Sequence, residues 1–196
     1  MTSIAETFFS QELNDMTDDS IRNFSTYVLD NAPHYFSLCP ASSSKRYHSK
    51  QSNQMPGGLI NHTRAVAYFI GILCRGYNIE GKAKDKIVAS GLFHDELKLG
   101  LPMQRYTDPH HPRKGADFVY SLYKQYTAEG GVVDKDDVIE ICRALNFHHG
   151  RWTEEKYRKK FPEEYTTPEL ILHLADLISA GKEVNLEFLE QASLIG

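Results

Sequence analysis

An all-α fold, a single-domain helical bundle, is predicted by three features of the 196-residue sequence. Apolar residues recur three and four positions apart in almost every periodic segment. No segment alternates apolar and polar residues as a convincing strand does. Pro, Gly and short polar residues stand where such helices would start and stop. A chain of this length can bury its own core as one domain.

Taken in order, residues 18–31 are predicted as a helix capped by Thr17, with Ile21, Phe24 and Val28 on one face and Pro33 beyond its end. Residues 40–58, PASSSKRYHSKQSNQMPGG, read as a polar loop long enough to suggest a function. Helices follow from Leu59 to Arg75 and from Lys82 to Leu97. The turn-rich stretch LGLPMQRYTDPHHP leads into a helix from Pro112 to Tyr126, with proline suitably placed in the first turn. Gly130 and Gly131 interrupt the chain before a helix from Asp134 to Phe147. After the basic, aromatic segment RWTEEKYRKKFPEEY, Thr167 caps a last helix that has Pro168 at its first position and runs to Ala180. The expected organisation is an N-terminal helical segment over 1–39 packing on a core over 40–182, followed by a C-terminal helix over 183–196.

Composition narrows the class. A hydrophobic share of 41% with 24% charged residues belongs to soluble globular proteins. The net charge of −4 gives no global argument for nucleic acid or a membrane surface, though a binding face can still be locally basic. Cys39, Cys74 and Cys142 are odd in number, far apart and form no CxxC pair. Neither a disulfide framework nor a thiolate zinc site is therefore expected, and a reducing, cytoplasmic setting is. The start, MTSIAETFFSQELND, lacks the basic and apolar regions of a signal peptide. The most apolar stretch, Ala65 to Cys74, is too short to span a bilayer, so no membrane partner is expected.

The histidines matter by position. His62 shares a helical face with Val66, Phe69 and Leu73; His94 lies on the face of Ile87 and Gly91, with Asp95 beside it; His148 continues the face of Val138, Ile141 and Leu145. Asp176 sits within the apolar run LILHLADLISA, where an unpartnered carboxylate would cost several kcal/mol. Singly, each has an ordinary structural explanation: a hydrogen-bonded core histidine, a chance His-Asp pair, an aspartate paired with a Lys or Arg. Together, five inward ligand-type groups from several helices call for a cation, and helical bundles build metal sites in this way.

The ordered set formed by His62 in GGLINHT, His94 and Asp95 in GLFHDELKLG, His111 in HPRKGADFV, His148 and His149 in FHHG and Asp176 in HLADLIS resembles the HD superfamily of phosphohydrolases, over about Pro40 to Ala180. The segment from Pro40 to His62 is further similar to the entry to HD domains of bacterial 3′–5′ exoribonucleases and conjugative relaxases. The resemblance implies a helical bundle of the HD type. His62, His94, Asp95 and Asp176 would be the minimal metal set, with Asp95 bridging where two ions are held. His111, His148 and His149 match the extra histidines of members that hold two metals and act on phosphodiesters. His110 is an equal candidate for the place of His111. Lys98 matches the lysine of an HD-x-x-K variant and would contact the substrate phosphate; the other reading is an exposed helix-end lysine favoured by the helix dipole. His48, with Tyr47 where such members show a histidine pair, is either a ligand or a loop residue near the substrate, and the latter is preferred.

The implied cofactor is one or two divalent transition-metal ions, Mn²⁺, Fe²⁺/Fe³⁺ or Ni²⁺ before Mg²⁺ or Zn²⁺, since imidazole with carboxylate and no thiolate suits such ions. Two ions ~3.5–4 Å apart can activate a water and neutralise phosphoryl charge, so no protein nucleophile is required. No G-x-S-x-G elbow or phosphate loop competes. From Arg143 to Lys160 six Lys or Arg oppose two Glu, with Trp152, Tyr157 and Phe161 interleaved, and Lys45, Arg46 and Lys50 precede His62. Such clusters can follow phosphates and stack bases. Arg151 and Trp152 thus join Lys98 and His48 as substrate-binding candidates, for a nucleotide or single-stranded nucleic acid. The expected activity is a phosphodiesterase or nuclease, with Asp95 and Lys98 as the catalytic side chains. The alternatives are a one-metal nucleoside mono- or triphosphate hydrolase and a metal-stabilised binding or regulatory module without turnover.

Overall fold

A computed structural model of the protein describes residues 3–42, 51–153 and 160–181, the side chains of Gln51, Ser52 and Trp152 excepted. The described residues are helical, with no strand among them. His48, Lys45, Arg46 and Lys50, Tyr157, the Trp152 side chain and the expected C-terminal helix lie outside them.

Helix α1 (Ile4–Asn14) is capped by Ser3, whose hydroxyl accepts from the Glu6 N–H, and buries Ala5, Phe9 and Leu13 at helical spacing. Helix α2 (Asp19–Asp30) starts one residue later than expected. Asp18 caps it by accepting from Ile21 N–H at 3.0 Å, while Thr17 is turned to another task. The backbone N–H and hydroxyl of Thr17, each 2.8 Å away, and the Asp18 N–H at 2.9 Å all donate to one oxygen of buried Asp85. That carboxylate pins the start of α2 to the middle of α5 (Gly81–Phe93). Phe24 of α2 completes the join, edge-on to Phe93 with ring centroids 6.5 Å apart.

The polar stretch before His62 is not all loop. A short helix α3 (Gln51–Gln54) precedes α4 (Gly58–Gly76). Helix α5 ends at Phe93 rather than Leu97; tight turns carry the chain onward, with Lys98 N–H donating to Asp95 O and Gly100 N–H to Leu97 O. Leu97 and Leu99 stay buried, so the apolar pattern outlasts the helix. Then come α6 (His111–Ala128), α7 (Lys135–Phe147) and α8 (Thr167–Ala180). The cap of α8 is Thr166, in a capping box with Glu169, so Pro168 is its second residue.

Helix α5 is the centre of the bundle, touching α2, α4, α7 and α8, while α4 also packs on α8 and α6 on α7. Gly91 is what lets α4 and α5 approach: a Cβ there would collide with Ile70 Cδ1. That closeness sets His62 on α4 beside His94 at the end of α5.

Candidate metal centre

Five helices deliver ligand-type groups to one place: His62 from within α4, His94 and Asp95 from the end of α5, His111 from the first residue of α6, His148 and His149 from the end of α7, and Asp176 from within α8. His62, His94, Asp95, His111 and His148 are all 3% exposed or less. Asp176 and His149 are half-buried, the Asp176 side chain being 21% exposed.

The groups fall into two sets that share Asp95. In the first, His62 Nε2 lies 3.2 Å from His94 Nε2 and 3.1 Å from Asp176 Oδ1, while Asp95 Oδ2 is 3.4 Å from His94 Nε2 and 3.7 Å from His62 Nε2. In the second, Asp95 Oδ1 is 2.9 Å from His111 Nε2 and 4.0 Å from His148 Nε2. The His149 ring completes it, centred 4.7 Å from that of His111 and 5.3 Å from that of His148. Within the trio His62, His94 and Asp95, and within the trio His111, His148 and His149, the ligand atoms all lie within 4.8 Å of one another.

The tautomers follow from the far side of each ring. His94 Nδ1–H donates to Gly91 O, His111 Nδ1–H to Asp108 O and His148 Nδ1–H to Leu145 O, each at 2.7 Å. Ser179 donates its hydroxyl hydrogen to Asp176 O at 2.8 Å, so its oxygen accepts from His62 Nδ1–H at 3.2 Å. With Nδ1 committed to an outer acceptor in all four rings, it is each Nε2 that faces inward, the arrangement that orients imidazole ligands on metals. Ring nitrogens and carboxylate oxygens this close need positive charge between them, from shared protons or from a metal ion. The buried atoms His148 Nε2 and His149 Nδ1 have no hydrogen-bond partner, a cost of about 1–3 kcal/mol each that a cation would remove. The donor set therefore fits one or two divalent transition ions.

Electrostatics agree. Burial opposes the charged form of Asp95, yet the Lys98 ammonium, then His94 and His111, hold its carboxyl well below the usual range. Asp176 is likewise buried against ionisation but held well below it by His62 and His94. Burial works against a charged His94 too, but Asp95 and Asp176 raise its pKa. Burial lowers His62, lowers His148 strongly and brings His149 down to about 4, which keeps those rings neutral and able to bind an ion.

Of the remaining candidates, Lys98 is at the site, its ammonium 2.5 Å from Asp95 Oδ2. His110 stands directly before α6 and donates its backbone N–H to Asp108 Oδ1, 2.9 Å away, and His111 rather than His110 joins the cluster. Arg151 pairs with exposed Glu163 and lies over the Phe161 ring. Lys160 pairs with buried Glu169 and stands over the Phe147 ring at 4.4 Å. Ser179, which falls within the motif around Asp176, and Asp108 and His173 have no role that the sequence alone assigns. For Ser179 the signal was present, three residues after Asp176 on the same helical face. For Asp108 there was none.

The HD domain family model matches residues 59–181, which contain every group of the cluster. No curated protein and no solved structure matches the chain. Family match, helical bundle and buried His/Asp cluster agree: the chain belongs to the HD domain family, whose members are metal-dependent phosphohydrolases.

Proposed function

We propose that this protein hydrolyses a phosphodiester bond, in a nucleotide or in single-stranded nucleic acid, with two divalent transition-metal ions that Asp95 bridges. The observation that supports this reading most is the division of one carboxylate: Asp95 Oδ2 faces His62 and His94, and Asp95 Oδ1 faces His111 and His148. His62, His94, Asp95 and Asp176 would hold the first ion; Asp95, His111, His148 and His149 the second. When bound, such ions acidify a water, polarise the phosphoryl oxygens and stabilise the leaving alkoxide, a service that matters most for a diester. Mn²⁺, Fe²⁺/Fe³⁺ and Ni²⁺ are the favoured ions, with Mg²⁺ and Zn²⁺ behind them.

The chain's own part is positional. Asp176 and His149, the two ligands that are not fully buried, would mark the side from which substrate arrives. Lys98 would supply a cation for a phosphate oxygen, and Arg151, Trp152 and His48 are the proposed grips for flanking phosphates and bases. A cytoplasmic setting accompanies this reading: Cys39, Cys74 and Cys142 are free thiols, and no helix among the described residues is long and apolar enough to cross a membrane.

The experiment is hydrolysis of bis(p-nitrophenyl) phosphate and of short single-stranded oligonucleotides in Mn²⁺, by wild type and by His148→Ala. Both substrates should be cleaved, and the variant should lose the activity while remaining folded. Turnover confined to nucleoside mono- or triphosphates, unchanged in His148→Ala, replaces this reading with a one-metal nucleotidase. Metal binding without turnover of any phosphoester leaves a regulatory module.

A further inference from the structure

The last carbonyls of an α-helix have no partner within the helix. At the end of α7, the carbonyls of Phe147 and of His148, a member of the second ligand set, are satisfied by side chains distant in sequence. Tyr165 donates its hydroxyl to Phe147 O at 2.8 Å, and His173 donates Nδ1–H to His148 O at 2.7 Å. The two donors brace each other, the His173 ring standing edge-on to Tyr165 with centroids 5.9 Å apart. Tyr165 is itself held from behind. Its ring leans on Phe147 at 5.8 Å, and Lys160, paired with Glu169 in the first turn of α8, lies 5.5 Å from its centroid.

The other flank of the histidine pair rests on the same ring. Gly150, directly after His149, has a φ of +55°, where residues with a side chain are strained. A Cβ there would also run into His173 Cε1. His173 therefore bounds the path of residues 147–150, by a hydrogen bond on one side and by contact on the other. It is buried in the otherwise apolar run Leu170–Leu174, where a polar ring is retained at a cost unless its hydrogen bond is of use.

We propose that His173 and Tyr165 are positioning residues that clasp the end of α7 and set the His148–His149 pair for the second cation, touching neither ion. The proposal rests on the two-ion reading above. It predicts selectivity: loosening the clasp weakens the ion held by His148 and His149 and spares the ion held by His62, His94 and Asp176.

The test is a Mn²⁺ binding isotherm on the full chain, read by the EPR signal of free Mn²⁺, with melting curves on the same samples. His148→Ala identifies which ion belongs to the second set. Tyr165→Phe, which keeps the ring packing, and His173→Leu should each weaken that ion by about 10–100-fold, the usual effect of removing an outer partner of a ligand, and change the first by no more than about threefold. His173→Asn, whose amide can donate from nearly the same place as Nδ1–H, should restore most of the affinity. Unchanged affinities in Tyr165→Phe and His173→Leu overturn the proposal. So does equal weakening of both ions that tracks a fall in melting temperature and is not relieved in His173→Asn. A wild-type chain that takes up a single ion overturns the two-ion reading and the clasp with it, whereas two ions in wild type with indifferent variants overturn the clasp alone.

Discussion

His111 Nε2 stands 2.9 Å from Asp95 Oδ1, the carboxylate oxygen turned away from His94, whose Nε2 faces Oδ2 at 3.4 Å. One short side chain thereby joins two groups of imidazoles that come from different helices, α4 and α5 on one side and α6 and α7 on the other. Neither oxygen is spare. Loss of Asp95 should therefore be felt in both groups of ligands.

Asp95→Asn keeps the shape of the side chain but replaces one oxygen with an N–H₂ group that cannot ligate. The metal charge it helps to hold is worth several kcal/mol of transition-state stabilisation, so phosphoester hydrolysis should fall by about a thousandfold or more. The helical circular dichroism should persist, because residue 95 lies in the turn after α5 and not within the apolar packing. A rate within about tenfold of wild type contradicts the assignment.

Ion removal should be visible as stability. An ion at 100 times its Kd adds about 2.7 kcal/mol, which for a chain of this size is roughly 5–10 °C in Tm. Adding Mn²⁺ to chelator-treated protein should raise the melting temperature by that order, and His62→Ala should abolish most of the rise. No shift with Mn²⁺, Fe²⁺ or Ni²⁺ would sink the metal centre.

Ser179→Ala removes the acceptor that holds His62 Nδ1–H, freeing the ring to turn or to change tautomer. The first ion should bind about 10–100-fold more weakly, with the second little affected, measured by the same Mn²⁺ isotherm. Ser179→Thr retains the hydroxyl and should recover part of the loss.

Acidification should destabilise the metal-free protein in two stages. An unfolded histidine protonates near pH 6.5, whereas His149 in the fold does so at about 4. A depressed folded pKa means the unfolded state binds protons first, so stability is full above pH 6.5 and is lost as pH falls toward 4. The His149 contribution is at most about 3 kcal/mol, with His62 and His148 shifted in the same direction, while His94 and Glu96, whose pKa values are raised, act in the opposite sense. Asp95 and Asp176, held well below the usual carboxylate range, withdraw their contribution only as pH falls further. Urea midpoints of chelated protein at pH 7.5, 6 and 5 test this; a midpoint that is flat or rises toward pH 5 contradicts it.

Much of this site was legible because ligands on helices inherit helical periodicity. His62 and His148 declared themselves by sharing faces with Val66 and with Ile141 and Leu145, and Asp176 by being charged in an apolar run. What sequence could not supply was non-local. The choice of His111 over His110 depends on Asp108, whose carbonyl holds the His111 ring and whose carboxylate holds the His110 N–H. The end of α5 was hidden because Leu97 and Leu99 are buried in turns as they would be in a helix. Thr17 reads as a cap by residue type, but its hydroxyl serves Asp85, 68 residues away. Gly91 was noted only as a face neighbour of His94, although its missing side chain is what lets α4 and α5 meet.

The claim on which the rest depends is that Asp95 bridges two ions. Protein loaded with two equivalents of Mn²⁺ tests it by EPR, because two ions sharing a carboxylate couple magnetically. Wild type should give a coupled multiline spectrum that collapses to the six-line signal of isolated ions in Asp95→Asn. Isolated six-line Mn²⁺ in the wild-type protein at full loading would contradict the account.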